Sequence, residues 1–453
     1  MVTHFIGIGG IGMSALARLM LARGEGVRGS DQRDSPLLAR LRSEGADVRI
    51  GHAAQNLDGV GRVVASSAVG DTNVEYAEAK RRALPFDRRG ALLAQLMERH
   101  RGIAICGTHG KTTTTAMVHA ILRGNGIDAS LALGGIDVEL DSNAHGGSSE
   151  WFVAEADESD GSFTLLQPEI AVVTNIENDH LASDDELPRL VEEFAQFAAR
   201  VPAHGLVVAG ADDARASSLL AEVRAAVSFG FGEAADLRAC NLRAEGLRTT
   251  FDAVAGGVCL GSVTCGVPGA MNVRNALAAI AVARRLEIPF AGIARALRSF
   301  RGVRRRFEVL CDDARAVVVD DYAHHPTAVA ETIATARSYH RGALVVAFQP
   351  HRFKRTAHLA REFAAALCAA DRVYLAPVYA AGEAPIPGVD SASIGEPLAR
   401  MGCDVQCVAA VDDLEERLLH DAPGGSLVLV LGAGDITDVA RRIAARIATT
   451  TPV

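Results

Sequence analysis

The chain has 453 residues, a formal net charge of −9 and about half its residues hydrophobic, with 5% aromatic. That length holds roughly two to four domains, each large enough for a buried core. An acidic balance without a long basic block excludes nucleic acid as a natural partner, and no apolar run is long enough for membrane insertion.

Residues 1–99 alternate strands and helices. Strands are predicted at residues 4–6, 27–31, 47–50 and 62–67, with an amphipathic helix at 13–22. Between the first strand and that helix lie Gly7, Gly9, Gly10 and Gly12, and Asp31 ends the second strand about twenty residues on. This is a diphosphate-binding pattern with an acid placed for a ribose hydroxyl. It serves a nicotinamide dinucleotide and a nucleotide sugar equally well, because the loop reads the diphosphate.

Residues 100–299 restart with an apolar strand ending at Cys106. Gly107, Thr108, His109, Gly110, Lys111, Thr112 and Thr113 follow and open a helix. Glycines let backbone N–H groups approach phosphate oxygens, the helix N-terminus favours anions, Lys111 reaches the outer phosphates, and the Thr112 hydroxyl can ligate Mg²⁺. The loop is shortened, since Ile105 stands where the strict motif has its first glycine. A solvated lysine in a glycine-rich turn would look similar. Against that, the chain has only three lysines, at 80, 111 and 354, and filler is an unconvincing use of one.

Further strands are predicted at 151–155, 170–176 and 205–209, then a small β-rich side sheet at 226–268 and a helix at 272–286. The first two strands lead into acidic runs, Glu155 to Asp160 and Asn175 to His180. Such runs are commonly solvated loops. Downstream of a phosphate loop they become candidate hard-oxygen ligands for a metal, with imidazole a less usual donor.

Residues 300–453 open with a basic cluster, Arg304, Arg305 and Arg306, suited to clamping phosphate charge or to a solvated linker. Strands are predicted at 316–320, 343–348, 372–375 and 426–431, and polar clusters follow two of them, at Asp320 to Pro326 and Gln349 to Thr356. The fold class is α/β: three consecutive α/β domains, the first and third Rossmann-like and the central one a P-loop domain. Clefts between such domains are the expected active site. The eight cysteines (106, 240, 259, 265, 311, 368, 403, 407) show no CxxC pair, and the chain starts on a strand without a charged leader. Both features suit a reduced, cytoplasmic protein whose thiols are mostly buried.

Taken in order, Gly-Ile-Gly-Gly-Ile-Gly-Met-Ser, Gly-Thr-His-Gly-Lys-Thr-Thr, Glu-Ala-Asp-Glu-Ser-Asp, Asn-Ile-Glu-x-Asp-His, Gly-Val-Arg-Arg-Arg-Phe-Glu, Asp-Tyr-Ala-His-His-Pro and Phe-Gln-Pro-His-Arg resemble the Mur ligases of peptidoglycan synthesis. The resemblance covers essentially the whole chain. It implies a UDP-sugar domain at 1–99, an ATP domain at 100–299 and a C-terminal domain at 300–453 that closes on amino acid and nucleotide. The implied reaction is ATP-driven amide formation between the lactyl carboxylate of UDP-N-acetylmuramate and L-alanine, through an acyl phosphate, with Mg²⁺ at two sites.

Residue by residue, the resemblance places Gly9, Gly10, Ile11, Gly12, Met13 and Ser14 around the UDP diphosphate, with Asp31 and Ser67 also on the sugar nucleotide. Residues 107–113, Asn272, Asn275, Arg306 and Asp321 fall to ATP. Thr112, Glu155 and His180 fall to metal, and His351 and Arg352 to the reacting carboxylate or amino acid. Several related ligases bridge their metals with a carbamylated lysine; residues 112–353 contain no lysine, which agrees with the alanine-adding branch. Two positions depart from the pattern: Met271 stands where histidine is usual, and Ala182 where aspartate is usual. Alternatives are a recycling ligase that adds a tripeptide to the same sugar, a nicotinamide-dependent oxidoreductase, and a nucleotide sensor. Oligomeric state has no signature in the sequence.

Overall fold

The computed structural model describes residues 1–179, 184–422 and 424–449. It divides into two compact units, one of residues 1–241, 251–264 and 274–301, the other of 242–250, 265–273 and 302–453. Each third of the chain builds its own sheet.

The N-terminal sheet comprises β1 (Val2–Ile6), β2 (Gly26–Asp31), β3 (Asp47–Ile50), β4 (Arg62–Ala65) and β5 (Phe86–Arg88), in the order β3-β2-β1-β4-β5. All four pairings are parallel. The chain winds outward in both directions from β1, so a topological switch point lies at that strand's carboxyl end, where ligand loops belong. Helices α1 (Ile11–Ala22), α2 (Pro36–Ser43) and α3 (Val74–Arg81) cross between the strands, and α4 (Arg89–Met97) leads from β5 to the next sheet. Ser35 caps α2, and Asn73 caps α3 by accepting from the N–H groups of Glu75 and Tyr76. The last predicted strand is two residues shorter than expected, because Ser66 and Ser67 have already turned out of β4.

Glu75, delivered by that cap, is fully buried. Its carboxylate accepts from Ser30 Oγ at 2.5 Å, Asn56 Nδ2 at 2.6 Å and Ala53 N at 3.1 Å, and lies 3.2 Å from His4 Nε2 and 3.3 Å from His52 Nδ1. Burial opposes its charge, but these partners prevail and pull the carboxyl down from 4.5 to about 2. A depressed carboxyl stabilises the fold above its unfolded value and loses that contribution as pH falls through the folded value. Glu75→Gln is therefore expected to remove up to about 3 kcal/mol near neutrality and to flatten the loss of stability between pH 4.5 and 2. Denaturant unfolding across that range measures both.

The central sheet has ten strands: β6 (Arg101–Cys106), β7 (Ser130–Asp137), β8 (Ser142–His145), β9 (Trp151–Glu155), β10 (Ile170–Val173), β11 (Leu206–Gly210), β12 (Ala226–Gly230), β13 (Leu237–Glu245), β14 (Arg248–Ala255) and β15 (Val258–Cys265). Their order is β15-β14-β13-β12-β11-β10-β6-β9-β7-β8. The β-rich stretch at 226–268 is thus no separate side sheet. β12 pairs in parallel with β11 and carries the same sheet outward through β13. The β7–β8 hairpin has no counterpart among the predicted strands. β10 stops at Val173, three residues early, and residues 174–176 turn toward the lysine loop. The helix predicted at 272–286 runs Ala270–Arg285.

In the second unit, β16 (Glu308–Asp312), β17 (Ala316–Asp321), β18 (Leu344–Phe348), β19 (Arg372–Leu375), β20 (Val405–Cys407) and β21 (Ser426–Leu431) form a sheet in the order β16-β17-β21-β18-β19-β20. Only the β16–β17 pair is antiparallel. Leu427, Leu429 and Leu431 of β21 pack into the core on one face, while Val428 and Val430 pack into the core on the other. Side chains alternate across a strand, so an unbroken apolar run means both faces are covered.

The expectation of reduced, mostly buried cysteines needs correction. Cys368 and Cys403 form a disulfide with Cα atoms 5.8 Å apart, and Cys259 and Cys407 are exposed while only Cys106 and Cys265 of the free thiols are buried. Each paired cysteine follows a helix, Ala360–Leu367 or Ala392–Arg400, and the packing of those helices brings together residues 35 apart in sequence. Spacing along the chain carries no trace of that. Among the described residues, no helix is long and apolar enough to cross a membrane.

Candidate active site

Strand β6 runs into Gly107 and Gly110, both with positive φ (119° and 83°). A Cβ at Gly107 would lie 2.2 Å from Thr174 Oγ1, and one at Gly110 would lie 2.4 Å from Asn275 Oδ1. Glycine is required at both positions on conformation and on space. The helix α5 (Lys111–Gly124) begins here, and its first backbone bond runs from Thr114 N to Gly110 O at 3.0 Å. The N–H groups of Lys111, Thr112 and Thr113 precede that ladder, an arrangement suited to an anion. Thr108 N and His109 N are held by the backbone oxygen and Oδ1 of Asn175, at 3.0 and 2.9 Å. The early end of β10 thus serves to brace the loop.

The Lys111 ammonium donates to Gly107 O (2.7 Å) and Thr108 O (3.1 Å) and pairs with Glu158 at 2.8 Å. Burial works against its charge, but Glu158, Asp157 and Glu155 outweigh burial and raise its pKa. Burial likewise pushes the Glu158 carboxyl up to about 7 despite the lysine. Thr112 Oγ1 donates to Glu155 Oε1 at 3.0 Å, and Glu155 Oε2 accepts from Gly134 N of β7 at 2.8 Å. A hydroxyl and a carboxylate at one strand end, beside the phosphate loop, suit a hard divalent cation. A cleft of about 340 Å³ opens alongside, its lining dominated by carboxylates such as Glu158, Asp160, Glu177 and Glu193 but including Arg189. His180 and Ala182 lie outside the described residues. His109 Nε2 is 3.3 Å from Glu177 Oε2, and Asn275 Oδ1 accepts from Thr114 Oγ1 at 3.2 Å, against Gly110.

The loop after β1 is the second phosphate-type terminus of this unit. Asp31 Oδ2 accepts from Gly9 N at 2.8 Å, so this acid shapes the loop itself. Ser14 N bonds Gly10 O at 2.9 Å, which leaves Ile11, Gly12 and Met13 ahead of the helical ladder. Ser14 is fully buried, its hydroxyl donating to Ile11 O at 2.9 Å. Ser67 is exposed in the turn after β4, and Arg88 holds that turn through Ser66 O and Val69 O. Arg89 lies against Gly12, where a Cβ would be 3.1 Å from its Cδ, and pairs with Asp157 at 3.1 Å. Burial opposes charge on Asp157, yet Arg89 and Lys111 keep its carboxyl low.

In the second unit, the loops after β17, β18 and β21 converge. Gln349 N bonds Leu431 O at 2.9 Å, Gly432 N bonds Asp321 O at 3.1 Å, and Arg305 Nη2 donates to Gly432 O at 2.7 Å. Asp321 is 4% exposed, with one oxygen on Phe307 N (2.6 Å) and the other on Ala323 N (2.7 Å). Burial raises its carboxyl to about 6 against the pull of Arg306. Arg306 itself lies over the Tyr322 ring at 4.9 Å. His351 stacks on Tyr379 with ring centres 5.7 Å apart, and its Nδ1 is 3.3 Å from buried Arg355. Arg352 is exposed, with φ of +70° and its N–H on Tyr379 O. Asn272 is buried, donating to Pro268 O at 2.7 Å.

Sequence reasoning singled out neither Asn175, Glu158 nor Arg355 individually, though all lie in motifs it marked. Arg89 and Tyr379 gave it no signal.

Three family models match the chain in succession: the Mur ligase family catalytic domain over residues 2–101, the Mur ligase middle domain over 105–283, and the Mur ligase glutamate ligase domain over 305–434. A UDP-N-acetylmuramate–L-alanine ligase from Geotalea uraniireducens is 45% identical over 438 residues, 96% of each chain. The crystal structure of the UDP-N-acetylmuramate–alanine ligase of Thermotoga maritima superposes with a TM-score of 0.87 at 31% identity, covering 100% of both chains. A murein peptide ligase from Psychrobacter arcticus shares the fold at a TM-score of 0.73 and 23% identity, again covering 100% of both.

Proposed function

This chain belongs to the Mur ligase family, and from that premise we infer that it is an ATP-dependent ligase joining L-alanine to the lactyl carboxylate of UDP-N-acetylmuramate, a step of peptidoglycan synthesis. The observation that carries this reading is full-length identity of 45% to a ligase of that name. The tripeptide ligase and the oxidoreductase are not favoured.

The chemistry follows from what a carboxylate lacks. Its leaving group would be oxide, so direct attack by an amine does not proceed. Attack of the lactyl carboxylate on the γ-phosphate releases ADP and gives an acyl phosphate. The alanine amine then attacks the carbonyl, phosphate departs, and the amine proton passes to solvent. The protein's part is to neutralise charge and hold the reactants in line.

Lys111 and the N–H groups opening α5 are assigned to the β- and γ-phosphates, with Asn272, Asn275, Arg306 and Asp321 on the rest of ATP. Gly9 to Ser14, with Asp31 and Ser67, are assigned to the UDP portion, and His351 and Arg352 to the carboxylate or amino acid. Thr112 and Glu155 would hold Mg²⁺, whose charge would offset that of the phosphates. A nucleotide sugar and ATP as co-substrates place the reaction in the cytoplasm.

A panel of amine acceptors tests the reading. With ATP and UDP-N-acetylmuramate, L-alanine is expected to drive phosphate release faster than serine, glycine or the tripeptide. Turnover with the tripeptide and none with L-alanine would establish the recycling ligase instead.

A further inference from the structure

We propose that Asn143, on the β7–β8 hairpin of the central sheet, is a positioning residue that holds the diphosphate loop in register with the ATP site. The inference rests on the reading of Gly9 to Ser14 as the UDP-diphosphate cradle. That loop has little means of fixing itself. The residue capping α1 is Gly10, which offers no side-chain cap, and Gly9, Gly10 and Gly12 permit many backbone conformations. Asp31 holds one side at Gly9 N. Asn143 holds the other, its Nδ2 donating to Ile11 O at 2.7 Å and to Ser14 Oγ at 2.8 Å.

Chemistry fixes which way the amide points. Ile11 O can only accept, so the amide nitrogen faces it. The guanidinium of Arg18 can only donate, and its Nη1 lies 3.1 Å from Asn143 Oδ1. The same guanidinium is set by Glu44, at 2.7 and 2.6 Å, and by Ser142 Oγ, at 2.5 Å. Asn143 and Ser14 are both fully buried, so water cannot stand in for a lost partner. An aspartate of the same shape would keep the acceptor toward Arg18 and lose both donors toward the loop.

The hairpin's other duty gives the contact its meaning. Gly134 N of β7 holds Glu155 Oε2, and Glu155 in turn accepts from Thr112. One hairpin thus grips the loop assigned to the UDP diphosphate and the carboxylate assigned to the ATP-side cation. Ile11 O and Ser14 flank the N–H groups of Gly12 and Met13 in the first turn of α1. A small slip there misdirects several donors at once and moves the sugar's carboxylate away from the γ-phosphate. Displacements of a fraction of an ångström are costly in such an arrangement.

The test is steady-state kinetics of the full chain carrying Asn143→Asp, and separately Asn143→Ala, with each substrate varied in turn and the melting temperature recorded. The expected result is a KM for UDP-N-acetylmuramate raised about tenfold in both, with the KM for ATP within about twofold of wild type. A purely architectural role would lower the melting temperature and the active fraction while leaving both KM values in place. The inference is overturned if the folded variants keep the wild-type KM for the sugar nucleotide, or if Asn143→Asp alone keeps it, since tethering through Arg18 would then suffice. Should Asn143→Asp not fold, the neutral Asn143→Ala decides by the same readout. Wild-type enzyme that does not turn over UDP-N-acetylmuramate would instead overturn the functional reading, and this inference with it.

Discussion

Replacing Lys111 with Ala is expected to lower phosphate release by about 10³-fold or more, while affinity for UDP-N-acetylmuramate stays within about twofold. The ammonium sits between Gly107 O and Thr108 O, at 2.7 and 3.1 Å, at the mouth of a helix N-terminus. Under the proposed assignment it is the group that would meet the charge building on the transferring phosphoryl. The loop assigned to the sugar nucleotide follows β1, a different strand on a different sheet. Deleting the lysine also removes the counterion of Glu158, which is 6% exposed. Burial already pushes that carboxyl up to about 7, so it takes a proton in the variant and the fold survives. Lys111→Arg is expected to restore little, because a planar guanidinium cannot occupy the compact space an ammonium fills between two carbonyl oxygens and a carboxylate. Phosphate release and calorimetric titration of the sugar nucleotide, run side by side, separate the two effects. Equal loss of both would show that the two ligands share one loop.

The second large effect is expected at Glu155. Glu155→Gln keeps the size of the side chain and turns its amide nitrogen to the Thr112 hydroxyl, which lies 3.0 Å from the carboxylate in the native protein and can accept as well as donate, but it removes the charge. A hard divalent cation held by one hydroxyl and one carboxylate loses most of its attraction when the carboxylate becomes an amide. Turnover at ordinary Mg²⁺ is expected to fall by about 10²-fold or more, with part of it recovered as Mg²⁺ is raised. An activity curve against Mg²⁺ reads this directly. If the curve keeps its wild-type midpoint, Glu155 is no metal ligand. Circular dichroism should match wild type, because the acceptor toward Gly134 N can be supplied by the amide oxygen.

Much of this site is legible in the amino-acid order because its chemistry is local. A glycine, a lysine and a threonine at fixed spacing after an apolar strand leave few choices for the backbone, and β1 to β4 and β9 lie where alternation of apolar runs and turns puts them. Elements that depend on partners far along the chain leave no such trace. The β7–β8 hairpin is short, and its placement depends on β9 and on α1, which lies over a hundred residues away. Nothing along the chain marks Asn143, whose partners Ile11, Ser14 and Arg18 reach it only through the fold. The strands at 226–265 suggest a separate sheet because nothing in their sequence reports that β11 offers them an edge. The resemblance assigns Asp321 to ATP, and only the fold shows that its two oxygens also accept from Phe307 N and Ala323 N. Cys368 and Cys403 meet for the same reason: two helices bring them together.

The central claim is that ATP is spent activating a carboxylate by phosphoryl transfer. It is tested most directly by following oxygen: UDP-N-acetylmuramate labelled with ¹⁸O in its lactyl carboxylate is turned over with ATP and L-alanine, and the phosphate is examined by ³¹P NMR. An acyl phosphate requires one carboxylate oxygen to leave with each phosphate, so labelled phosphate is the expected result. Phosphate free of label, with the missing oxygen in AMP or water, would contradict it.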